Sequence, residues 1–140
     1  EINIVPVAIS YEFDPCDRDK AIELAAIETT GTYKKSEYED IKSISKGMLG
    51  YKGKIHVEFG SSINGDFADS KAIAEEIDRK ITNNYKLTNN NYAAFEYLKN
   101  EEKDDNCLNT LKDRVLDLDD VQKKHLINMY ANPALVKIKE

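Results

Sequence analysis

Apolar and polar positions change period several times along the chain, and each change marks an element. Ile4, Val5, Val7 and Ile9 form a compact β-branched run. This predicts a first strand that ends near Tyr11 and is buried on both faces, as in a parallel sheet covered by helices. Pro6 interrupts the run; having no N–H and a fixed φ, it belongs at a strand edge, a strand end or a bulge. From Asp14 the period becomes helical, with Asp14 or Asp17 as N-cap, Ala21, Leu24, Ala25 and Ile27 as apolar stripe and Gly31 as stop. Ser36 and Glu39 have capping-box spacing, and Tyr38, Ile41, Ile44 and Met48 repeat at helical intervals up to Gly50.

Ile55, Val57 and Phe59 then alternate with His56 and Glu58, the pattern of a second strand with one apolar and one wetter side. After an Asn64-Gly65 turn, Ile73, Ile77 and Ile81 stand in i, i+4 order and give the clearest helix in the chain. Tyr92 to Leu98 reads as a short helix and Glu101 to Asp105 as a solvated turn. Leu108, Leu111, Val115 and Leu118 form a further apolar stripe, and Asp119 to Asn132 a last helix ended by Pro133.

The order strand, helix, helix, strand, helix, helical tail defines an α/β fold in a single domain, residues 1–140, with the strand-bearing part in 1–87 and the helical tail in 88–140. Two strands do not make a self-sufficient sheet. The first lies beside Glu1 with no turn residues ahead of it, so the chain is expected to be the C-terminal part of a longer α/β domain whose other strands lie upstream. The length suits one core, with 140 residues of which 41% are hydrophobic. A net charge of −6, with lysines and arginines interleaved among acids, argues against nucleic acid as a partner. The longest apolar run, Ile4 to Ile9, is far too short to span a bilayer, though a peripheral membrane contact stays open. Cys16 and Cys107 read as reduced thiols of a cytoplasmic protein, and the asparagines at 83–84 and 89–91 as polar loop composition.

The stretch "NIVPVAISYEFDPCD" resembles the fourth conserved block of the glycerolipid acyltransferases, the 1-acyl-glycerol-3-phosphate acyltransferase family. "GYKGKIHVEFGSSI" is similar to the next strand of that fold and "AIAEEIDRKITNNYKLTNNNYAA" to the helix after it; "NMYANP" is similar to a bacterial subgroup of the family. The resemblance implies two strands of an acyltransferase-like sheet with covering helices. It also implies a parent enzyme of phospholipid biosynthesis that moves an acyl group from acyl-CoA or acyl-carrier protein to a hydroxyl of a glycerol phosphate or lysophospholipid. No other cofactor is implied, and the place is the cytoplasm or the cytoplasmic face of the membrane. The family's His-x-x-x-x-Asp base and its Glu-Gly-Thr-Arg phosphate clamp do not occur in this sequence: position 61, five after His56, is Ser61, and position 130, five after His125, is Tyr130. No catalytic residue is therefore assigned here, and this chain alone is not expected to be active. Ile4, Val5, Pro6 and Val7 become candidate lining of an acyl or acceptor pocket; the bland reading is strand core with an edge proline. The expected partners are the upstream part of the same protein, the acyl thioester and the glycerolipid acceptor, with a homodimer where sheet edges stay uncovered. A non-enzymatic α/β binding or interaction module is the alternative.

Other chemistry is thinner. A lone His56 on a strand reads as structural rather than a proton shuttle, and His125 as solvated. Lys46, Lys52 and Lys54 among Gly47, Gly50 and Gly53 fail the P-loop spacing and read as a turn with solvating lysines. Asp113, Asp117, Asp119 and Asp120 lack an EF-hand glycine and fit a helix end. Cys16 lies between acids, which disfavours a reactive thiolate, and no Cys/His cluster has zinc spacing.

Overall fold

The computed structural model of the chain describes residues 3–101 and 106–139. Its elements follow the order read from the sequence: β1 (Val7–Tyr11), α1 (Asp17–Thr30), α2 (Glu39–Leu49), β2 (Ile55–Phe59), α3 (Ser70–Asn84), α4 (Asn89–Leu98), α5 (Asn106–Val115) and α6 (Asp120–Lys139). Of the expected turn after α4, Glu101 is exposed and residues 102–105 lie outside the described part.

The core is helical. Helix α6 packs along α4 and α1, and α5 closes the group. Leu108, Leu111, Val115 and Leu118, the predicted stripe, are all buried, and they meet Ala21 of α1, Ala93 and Ala94 of α4, and Leu126, Ile127, Tyr130 and Ala131 of α6. The alanines let helix axes approach closely, and each fully buried leucine contributes about 1.5–3 kcal/mol through water exclusion. Pro133 does not end the last helix, as the sequence suggested, but lies inside α6. Ala131 and Ala134 flank it and are fully buried, so packing on both sides holds the chain helical through a missing N–H. Helix α1 stops as expected at Gly31, whose φ of 79° suits a residue without a side chain. Its face is narrower than the expected stripe: Ala21 and Ala25 are buried, whereas Leu24 and Ile27 are exposed.

The sheet is a two-stranded antiparallel ribbon, pairing Val7 with Phe59, Ile9 with Val57 and Tyr11 with Ile55. This corrects the reading of β1 as a strand covered on both faces within a parallel sheet. Ala8 and Ser10 are buried on one side, but Ile9 on the other is 53% exposed. The alternation in β2 is as expected, with its apolar side turned outward: Val57 is 46% and Phe59 73% exposed. Antiparallel pairing presents Val7, Ile9 and Tyr11 on the same side as Ile55, Val57 and Phe59; Ile9 and Tyr11 share a cavity with Tyr85 and Met129, whereas Ile55, Val57 and Phe59 are exposed.

Pro6 explains where the ladder ends. It opposes Gly60 and accepts that residue's N–H at 2.8 Å, but cannot return the second bond that an antiparallel pair exchanges. Beyond it, among the described residues, one isolated bridge joins Ile4 to Ile63, with one extra residue on the second strand, so the proline sits at a bulge. Helix α2 buries none of its residues. Its expected capping box is half formed, with the Ser36 N–H donating to Glu39 Oε2 at 2.8 Å while the helix starts only after Tyr38, at φ 64°.

Candidate functional site

The junction between β1 and α1, Glu12 to Asp17, is the point where the chain's distant parts meet. Asp17, only 1% exposed, is the first residue of α1 and carries a carboxylate into the core. Its Oδ2 accepts from Arg114 Nε of α5 at 2.6 Å and from the Tyr130 hydroxyl of α6 at 2.7 Å, and its Oδ1 from the Arg18 N–H at 2.7 Å. The Tyr130 oxygen accepts in turn from the Asp14 N–H at 3.1 Å. Arg114 Nη2 donates to Asp14 O at 3.1 Å, and the guanidinium lies 5.2 Å from the Phe13 ring centre. Every oxygen of the buried carboxylate is thus satisfied, as a buried charge requires. The N-cap position itself belongs to Cys16, whose N–H donates to Asp14 Oδ1 at 2.8 Å; Asp14 and Asp17 shape the helix start without capping it by the usual side-chain bond.

A second arm runs through α4. Asn91 Oδ1 accepts from the Thr88 N–H at 2.7 Å, and its Nδ2 donates to Tyr130 O at 2.8 Å. Asn90 Nδ2 donates to Glu12 O at 2.7 Å. Both asparagines are buried, so Asn90 and Asn91 are structural wiring rather than loop composition. The Thr88-x-x-Asn91 spacing was the available signal, since a side chain three residues into a helix can reach back to the N-cap N–H.

Cavities flank this junction and share Tyr11 and Asp14. One, of about 210 Å³, is lined by Ile9, Tyr11, Tyr85, Asn91, Met129 and Tyr130 together with the two aspartates, Asp14 and Asp17. Burial raises the pKa of its three tyrosines, Tyr11, Tyr85 and Tyr130; for Tyr130 the Asp17 charge adds to burial. These phenols stay protonated at neutral pH, and that of Tyr130 donates to Asp17 Oδ2. The other, of about 400 Å³, lies between α1 and α2 and mixes Lys20, Lys35 and Lys52 with Asp19, Glu23, Glu39 and Asp40. Cys16 lines it, buried, with Sγ donating to Ser43 O at 3.5 Å. Cys16 and Cys107 are not joined by a disulfide.

Neither histidine reaches these cavities. His56 stands on the ribbon with Nε2 3.2 Å from Glu58 Oε2. His125, expected to be solvated, is instead half-buried between α6 and α1, 2.6 Å from Glu28 Oε2. The aspartate run ends helices: Asp119 Oδ1 accepts from the Gln122 N–H at 2.9 Å, opening α6, and Asp117 lies 3.9 Å from Arg18. Lys52 Nζ donates to Met48 O and Gly50 O, which caps the end of α2. Among the described residues, no three His, Cys, Asp or Glu side chains are grouped to hold a metal ion, and no helix is long and apolar enough to cross a membrane.

Ile4, Val5, Pro6 and Val7 sit at the bulged end of the ribbon, away from the junction. Pro6 is buried, Ile4 and Val7 are half-buried and Val5 points outward. The cavities just described are lined by other residues.

Comparison of the chain with protein-family models, with curated proteins and with solved structures finds no match in any of the three.

Proposed function

We propose that this chain is the C-terminal segment of a glycerolipid-type O-acyltransferase, in which protein outside the chain supplies the catalytic base and the phosphate clamp. The supporting observations are the exposed apolar residues Ile9, Ile55, Val57 and Phe59 on one side of the ribbon and, elsewhere, an α2 that buries nothing. Contiguous apolar surface of this kind marks a contact with something else. The family is the one that the stretches Asn3 to Asp17 and Gly50 to Ile63 resemble. In that reading an upstream histidine takes the proton of the acceptor hydroxyl, whose oxygen attacks the thioester carbonyl and expels the thiolate of CoA or of the carrier protein. Ile4, Val5, Pro6 and Val7 would border the acyl chain, where a proline leaves no N–H unsatisfied in an apolar wall. The work would be done in the cytoplasm or at the cytoplasmic face of the membrane. Incubation of the purified chain with labelled acyl-CoA and lysophosphatidate, beside a version extended upstream through a His-x-x-x-x-Asp block, is expected to give product only with the extension. Turnover by the short chain alone would overturn the assignment.

A second reading has its own support. The core of α1, α4, α5 and α6 is closed by the chain itself, which suits an independent interaction module presenting the ribbon to a partner. Absence of turnover in the extended version as well would favour it.

A further inference from the structure

The open border of β2 carries an inference independent of the acyl-transfer reading. Lys54 O accepts from the Glu12 N–H, and the Gly60 N–H donates to Pro6 O, so Lys54, His56, Glu58 and Gly60 turn their backbone groups toward β1. By alternation, the N–H and C=O groups of Ile55, Val57 and Phe59 point away from it. No described residue outside the ribbon bonds to them. We infer that β2 pairs antiparallel with β2 of a second copy of this chain about a two-fold axis at Val57, forming a four-stranded sheet β1-β2-β2-β1.

Three features of the strand favour that partner. In this register Val57 opposes its own copy and Ile55 opposes the partner's Phe59, so every outward donor of the three residues in both chains meets an acceptor. His56 opposes the partner's Glu58, and Glu58 the partner's His56, in close pairs with Cα atoms about 4.5 Å apart. These two side chains already approach within 3.2 Å inside one chain, so the two copies would join a ring of alternating imidazoles and carboxylates. An axis at Ile55 would instead oppose His56 to the partner's Lys54, and one at Phe59 would leave His56 beyond the strand. Among axes placed at an outward-facing residue, Val57 is the one that sets His56 against a carboxylate. Finally, a two-stranded ribbon is marginal by itself, and pairing reaches the three or more strands that stability normally needs. An isologous contact of this size is closed, and weak by interface standards.

Sedimentation equilibrium of the 140-residue chain from micromolar to sub-millimolar concentration is expected to show a reversible monomer–dimer equilibrium. Val57→Pro removes an outward N–H without touching the ladder to β1 and is expected to weaken the dimer roughly tenfold or more. Glu58→Lys is expected to weaken it by a smaller factor, and His56→Glu with Glu58→Lys to restore it, since the opposed pairs are again of opposite sign. A chain that stays monomeric throughout overturns the inference. So does a dimer indifferent to both Val57→Pro and the charge changes, or one abolished by Met48→Glu on α2 but not by Val57→Pro.

Discussion

The two halves of this molecule solve the burial problem in opposite ways. Helices α1, α4, α5 and α6 turn apolar side chains toward one another and tie themselves together through Asp17, Arg114, Tyr130 and Asn91. Helix α2 and the outer side of the ribbon carry as regular an apolar pattern and bury almost none of it: Ile41, Ile44, Met48, Ile55 and Phe59 are all exposed. Patterning decides that an element forms and which side is apolar. It does not decide that the same chain supplies the cover.

The contrast can be broken most forcefully in the core. Leu126→Ala, at a position with no exposure, is expected to cost about 2–5 kcal/mol in urea unfolding, whereas Phe59→Ala on the bare side should stay within about 0.5 kcal/mol. Similar losses at both places would abolish the distinction. Arg114→Ala strands the buried Asp17 carboxylate; because the arginine is a quarter exposed, the expected loss is about 2–3 kcal/mol, below that of a fully enclosed pair. Arg114→Ala with Asp17→Asn should recover part of it. Asn91→Ala removes both the bond to the Thr88 N–H and the bond to Tyr130 O, and is expected to cost about 1–2 kcal/mol by the same measurement.

A smaller effect depends on pH. Tyr130, and to a lesser degree Tyr11 and Tyr85, have pKa values raised on folding from the ordinary 10.0, first by burial. The folded state holds these protons more tightly than the unfolded chain. The stability they contribute is complete below about pH 10 and lost as pH rises above it. Thermal unfolding followed from pH 8 to pH 11 should fall on the alkaline side, with a shallower fall for Tyr130→Phe; an unchanged slope would count against the buried phenol.

Much of the element order could be read from spacing alone. Ile73, Ile77 and Ile81 mark α3, and the stripe from Leu108 to Leu118 is buried as expected, because a helix brings residues three and four apart onto one face whatever lies opposite. The rest depended on partners far away in sequence. Whether Ile9 is covered depends on what stands beside β1, which an apolar run cannot state. The roles of Asp17 and Asn91 require Arg114 and Tyr130, many residues later, so each looked like a local cap or a loop residue. Pro133 looked like a stop because local chemistry makes it one; the buried Ala131 and Ala134 on either side outweigh it.

Native-state hydrogen exchange of the chain at low micromolar concentration compares the two halves most directly. Amides of α4 and α6 should exchange only through global opening, while those of α2 and the outward amides of Ile55, Val57 and Phe59 should exchange orders of magnitude faster. Equal protection in both halves would mean that the chain covers its own ribbon, and would contradict the account.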